Sequence, residues 1–332
     1  MLSPDRDLIA QYESGYQGVV PNPAADKALV AMLQQRGGYA AAGQAIQDYD
    51  LKDTGKGKLS LPYIAALQLY PGCLPGGSQG RGSCVAWNTR NAALVSYCAY
   101  IMYGQNAERF TAPAVSPAGI QNGVASTEGI YWYRHHASDG WDGASAAKVA
   151  IEKCGLMLRQ NYPSIGIDLT TYSAETEGRW GATEPPENVQ QITRQHLCSN
   201  ATVCETYEEV RDMLANGYAI STCGGESFSF NRDDWGVSSR TRQGWSHAMA
   251  MVGVDDRPET IAKYGCGLVV VQNSWGDAFH GNDIIHGTAL RIPVGSFWAR
   301  WADVRDRYCV ALGPSKGWPA AKLPDWGLGG II

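Results

Sequence analysis

An α+β architecture, with helices and an antiparallel sheet segregated along the chain, is predicted by three observations. The first half of the sequence carries Ala-rich, helix-compatible segments. The second half carries short β-branched runs between turn-rich spacers. The chain has 332 residues, 44% hydrophobic and 18% charged, enough for one large core or two modest ones and too apolar for a disordered chain.

Taken in order, residues 26–50 read as helix, interrupted at Gly37-Gly38. The charged, glycine-rich "DLKDTGKGKLSLP" follows as a linker or surface loop, and "YPGCLPGGSQGRG" as an irregular one. From Cys84 to Met102 a helix is expected, with Val85, Ala86, Ala93, Leu94, Tyr97 and Ile101 on its buried face. Residues 104–121 read as loop. "SAAKVAIEKCG" gives a helix closed by Gly155. Residues 161–199 are polar, lack periodicity and are expected to wrap the surface. "TYEEVRDMLANG" opens with a capping box, Thr206 with Glu209. Strands are expected at "YAISTC", "HAMAMVGV", "GLVVVQNSW" and "TALRIPV". The domain reading is a helical extension over 1–57, a main domain over 58–312 and a Gly/Pro/Trp-rich tail over 313–332.

Composition narrows the partners. A net charge of −5 without a basic run argues against nucleic acid. Apolar runs such as "GLVVV" fall far short of the roughly 20 residues that span a bilayer, so no membrane is expected. Asp5, Arg6 and Asp7 stand where an export signal needs an apolar run, so none is expected. Nine cysteines without such a signal point to free thiols in a reducing compartment, cytoplasmic or particle-associated. No Cys/His spacing suggests a metal, and no cofactor is expected.

Cys84 carries the first chemical question. At a helix N-terminus the dipole favours a thiolate, the nucleophilic form. Its backbone N–H and the Gln79 amide could both donate to a developing oxyanion. A buried core cysteine explains the segment equally well. The rest of the chain shifts that balance. His247, in "SHAMAMVG", enters an apolar strand and is a candidate base. Asn273, in "QNSWG", ends another and could orient the imidazole. Trp275 could shield an Asn–His hydrogen bond from water.

Cys in "GSCVAW", His in "SHAMAMVG" and Asn in "QNSWG" occur in the chain order of papain-like cysteine proteases, which the sequence resembles over Leu59 to Ile292. The resemblance implies a two-lobed fold, a helical left lobe and an antiparallel β-rich right lobe, with the active-site cleft between them. It makes Cys84 the nucleophile, His247 the acid/base and Asn273 its orienting partner. Gln79 would form the oxyanion hole with the Cys84 N–H. "DGWDGASAAK" is similar to the family's Gly-Cys-x-Gly-Gly stretch, which assigns Gly143 and Ala144 to substrate binding together with Trp275. "TALRIPV" resembles the family's final strand.

The departures are specific. "QGRGSC" is one residue shorter than the family's run, and Ser78 occupies the usual glutamine spacing. Two family cysteines are missing together, and Trp141 stands in place of one. The activity implied is peptide-bond hydrolysis of a polypeptide substrate through a thioester; acyl transfer to an amine would use the same residues. The alternative is a structural or assembly protein, including a phage virion component, that meets a protein partner through its N-terminal extension or C-terminal tail. The N-terminal region itself reads either as a lid over the cleft or as an accessory packed on the helical lobe.

Overall fold

The computed structural model describes residues 18–104, 124–276 and 283–328; the expected loop at 104–121 lies almost wholly outside the described residues. The principal helices are α1 (Pro23–Gln35), α2 (Ala42–Asp48), α3 (Tyr63–Leu69), α4 (Cys84–Tyr103), α5 (Gly143–Glu152), α6 (Ala174–Gly181), α7 (Glu187–Thr193), α8 (Tyr207–Ala215) and α9 (Pro258–Tyr264). The principal strands are β1 (Asn200–Cys204), β2 (Ile220–Arg232), β3 (Ser238–Asp255), β4 (Leu268–Gln272), β5 (Ser296–Arg300) and β6 (Tyr308–Gly313). They pair antiparallel in the order β1-β6-β2-β3-β4-β5, and Leu59–Ser60 adds a short edge against the end of β3. The expected α+β class is what the chain adopts.

Helix α4 is the hinge between the two halves. It is buried on every side from Cys84 to Tyr100, not along one stripe. The reason is its place: α3 and α5 cover one side and the sheet covers the other. Its polar side chains are consequently paired inside. Asn88 Nδ2 donates to the carbonyls of Thr222 on β2 and Met249 on β3 (3.1 and 3.3 Å). Ser96 Oγ accepts the Ala219 N–H at 2.8 Å.

Local signals placed several elements well. The Thr206–Glu209 capping box opens α8 with both of its hydrogen bonds formed. Gly37-Gly38 separates α1 from α2. One expected strand is absent. "TALRIPV" is not a strand: Thr288 to Leu290 form a turn, and Ile284 and Arg291 make an isolated bridge. The Thr288 hydroxyl accepts the Leu290 N–H, which closes the turn locally. Residues 161–199, expected to wrap the surface without periodicity, hold α6 and α7. Both helices are short and mostly solvated, so few apolar positions repeat.

Candidate active site

Cys84 is the first residue of α4, at the end of a loop that turns through Gly76 and Gly77 (φ 71° and 126°). Those angles favour glycine over any residue with a Cβ. Asn88, one turn into the helix, fixes the rotation of α4 against Met249 on β3. His247 is two residues before Met249, on the same face of the strand. Cys84 packs in one apolar cluster with Ala248, the residue after His247, and both Cys84 and His247 are fully buried.

The His247 ring is held from one side by Asn273. Nε2 and Asn273 Oδ1 are 2.8 Å apart. The Ser274 N–H also donates to that oxygen at 2.7 Å, which fixes which end of the amide is the carbonyl. An amide oxygen only accepts, so Nε2 carries the hydrogen and Nδ1 is the basic nitrogen. Trp275, fully buried, stacks on the imidazole at 4.6 Å between centroids and 25° between planes. The carbonyl of Asn273 accepts from Gln272 Nε2 at 3.0 Å, so the strand end is itself supported.

Gln79 is tied to the same strand end. Its N–H donates to the Ser274 carbonyl at 2.8 Å, and its Oε1 accepts from the Ser274 hydroxyl. Its Nε2 donates to the Arg81 carbonyl at 2.8 Å. Ser78 and Trp275 form an antiparallel bridge. The loop before the cysteine and the segment after Asn273 are thus one connected unit.

Behind His247 lies a charge that the sequence reading missed. Arg307, with a fully buried side chain, donates from Nη2 to the His247 carbonyl at 2.6 Å and pairs with Glu226 at 3.1 Å. Burial pushes the imidazole down to about 3, the Asn273 bond opposes this in part, and the Arg307 charge adds to the lowering. Nothing in "DVRDRYCV" distinguishes Arg307 from the exposed charges beside it. Asn88 was likewise unannounced.

The cleft wall opposite β3 is the stretch Gly140–Gly143. The Gly140 N–H donates to the Gly82 carbonyl at 3.2 Å, two residues before Cys84. Asp142 caps α5 by accepting the Ser145 N–H at 2.7 Å. Gly143 lines the cleft, close to Cys223. Ala144 instead packs into the core against the helical side. The backbone pairing along this wall is made by Trp141, which bridges Val19 in parallel.

Solved structures of cysteine proteases are similar to this chain. Xylellain, a cysteine protease from Xylella fastidiosa, is 16% identical over 78% of this chain and 87% of its own, with a TM-score of 0.47. The cysteine protease and lectin-like domains of Cwp84, a surface layer associated protein of Clostridium difficile, are 15% identical over 86% of this chain and 60% of theirs (TM-score 0.45). A digestive procathepsin L2 proteinase from Tenebrio molitor larval midgut is 17% identical over 73% and 65% (TM-score 0.42). No family model and no curated protein matches the sequence. Among the described residues no helix is long and apolar enough to cross a membrane.

Proposed function

We propose that the chain is a thiol hydrolase of the papain-like kind, cleaving peptide bonds in a polypeptide through a thioester. The observation that carries this is the His247–Asn273 hydrogen bond, roofed by Trp275, on a strand that Asn88 locks against the helix starting at Cys84. A structural domain has no need to direct a buried imidazole in this way.

The Cys84 thiol passes its proton to His247 Nδ1, and the sulfur attacks the substrate carbonyl carbon. The carbonyl oxygen becomes an oxyanion, which the Cys84 backbone N–H and the Gln79 amide would stabilise. Collapse breaks the C–N bond. The amine leaves with the proton held at Nδ1, and Cys84 remains as a thioester. Water then attacks the thioester, giving a proton to His247, and the acid is released with the thiol restored. Asn273 keeps the ring oriented and stabilises the imidazolium in both steps.

The test is cleavage of an unfolded polypeptide, followed by mass spectrometry, by the native chain and by Cys84→Ala and His247→Ala. Each variant is expected to lose about 10³-fold or more. Cleavage by Cys84→Ala equal to that of the native chain would sink the reading.

A further inference from the structure

We infer that a second cavity, beside the Gln79–Cys84 loop, receives a carboxylate of the substrate, and that Arg90 and Arg159 supply the charge that holds it. That the carboxylate belongs to a polypeptide rests on the hydrolase proposed above; that the cavity is cationic does not. The cavity has a volume of about 590 Å³ and is lined by Gly76, Gly77, Ser78, Arg159, Thr171 and Tyr172, with Gly276 from the segment after β4. Among the described residues it shares no lining with the cavity at Gly143. Two contacts tie it to the chemistry. Ser78 pairs with Trp275, the indole that stacks on His247. The Tyr172 hydroxyl accepts the Gly80 N–H at 2.9 Å, in the loop between Gln79 and Cys84. A polypeptide laid across Cys84 and continuing past Trp275 therefore enters this cavity.

The floor of the cavity is bare backbone over a cation. Arg90, on α4 and fully buried, lies directly beneath Gly76, where a Cβ would collide with Nη2. Arg90 Nη1 donates to the Cys73 carbonyl at 3.0 Å and to Asn91 Oδ1 at 2.6 Å. Its Nε and Nη2 are buried and, among the described residues, meet no acceptor. Burial first and the Arg159 charge second bring the guanidinium down to about 10, which leaves it charged at neutral pH. A buried charge without a counterion is unfavourable, and an anion resting on Gly76 relieves it across a thin layer that screens little. Arg159 stands at the wall. Its Nη1 and Nη2 hold Glu128 at 3.1 and 2.9 Å, and its buried Nε has no acceptor among the described residues. The nearby carboxylates do not cancel this charge. Glu128 is committed to Arg159, and Glu177, pushed up to about 8 by burial and then by Glu128, holds its proton near neutral pH. Asp168 accepts from Thr170 and lines a different cavity. The pair of guanidinium groups thus faces the cavity with an excess of positive charge, in a chain whose net charge is −5. The anions of a polypeptide are Asp and Glu side chains and the terminal carboxylate, and guanidinium groups suit all three.

Matched peptides test this: free acid against amide at the C-terminus, and Glu against Gln at each internal position. Cleavage is measured with the full chain. Binding of the same peptides to Cys84→Ala is followed by fluorescence anisotropy, so the cavity is read whether or not bonds are cut. Two substitutions act on the charge, each made in the native chain and on the Cys84→Ala background. Arg90→Met removes the cation from below the floor. Thr171→Asp adds a carboxylate at an exposed position on the rim and leaves the core intact. The native chain is expected to prefer the carboxylate form about 10-fold at one position, in cleavage and in binding. The preference should fall to about 3-fold or less in Arg90→Met and reverse in Thr171→Asp. Each ratio is taken within one protein, so a general loss of active molecules leaves it unmoved. A preference for the terminal acid and a preference for an internal Glu distinguish the two sources of the carboxylate, and either supports the site. Equal handling of the paired peptides by the native chain overturns the inference, as does a preference that neither substitution alters. A preference in binding with no peptide cleaved keeps the site and removes the hydrolase; cleavage without preference does the reverse.

Discussion

At His247 burial and the Asn273 bond pull in opposite directions, and burial wins. The folded imidazole titrates near 3 and the unfolded one near 6.5, so between those values the unfolded chain binds more protons. Stability therefore rises with pH across that window and is lost as pH falls through it. His247→Gln is expected to remove this slope: urea unfolding at about pH 4 and pH 7 should differ less in the variant than in the native chain, by on the order of a few kcal/mol. Glu177 runs the other way. It is buried beside Glu128 and accepts from the Tyr172 hydroxyl at 2.7 Å; burial first and the Glu128 charge second push it up to about 8. The folded form then holds a proton that the unfolded carboxylate has released. The stability is present below about pH 4.5 and lost as pH rises toward 8. Glu177→Gln should flatten a melting-temperature profile between about pH 4.5 and 8; an unchanged profile would show that Glu177 is ionised in the fold. Cys84, His247 and Asn273 were legible in the sequence because each sits in a short string with its own chemical logic. Arg307 and Glu177 were not, because a charge reads as surface until packing encloses it.

The elements were legible where a local signal decides them. Thr206 and Glu209 announced α8, and the run of β-branched residues between turn-rich spacers announced β4. "TALRIPV" misled because β propensity gave way to a hydroxyl-closed turn. Helix α4 was found, but its burial on all sides could not be read from a single apolar face. Its orientation depends on Asn88, whose amide reaches two different strands. Asn88→Ala is expected to cost about 1–3 kcal/mol in urea unfolding. Asn88→Asp should cost at least as much, because a carboxylate cannot donate to carbonyls. Both should also slow the proposed hydrolysis, since the turn that carries Cys84 loses its fixed rotation relative to His247. A variant that keeps full activity would mean that the apolar contacts of α4 alone set that rotation.

Across the whole molecule, the order of helices first and strands second was visible, but the closure of the two ends was not. The segment ahead of α1 bonds to Ser246 and Trp141, and the segment after β6 bonds to Asn200 and Tyr218. Neither has periodicity, because each is held by scattered main-chain bonds and single large side chains. On the C-terminal side Asn200 Nδ2 donates to the carbonyls of Ser315 and Gly317 (2.6 and 2.8 Å), and the Tyr218 hydroxyl donates to the Pro319 carbonyl at 2.5 Å. Trp318 is fully buried, edge-on to Tyr218 at 4.8 Å, in the cluster that also holds Ala42 and Ile46 of α2. Gly313 faces the Trp318 ring, where a Cβ would sit 3.0 Å from it. One indole therefore joins β2, β6 and α2. Trp318→Ala is expected to lose about 3–5 kcal/mol, the range for emptying a large aromatic site in a packed core. Trp318→Phe should lose less, because part of the cavity stays filled. Urea midpoints for the two variants check this. A cost below about 1 kcal/mol for the alanine variant would mean that the C-terminal segment rests on the sheet without supporting it.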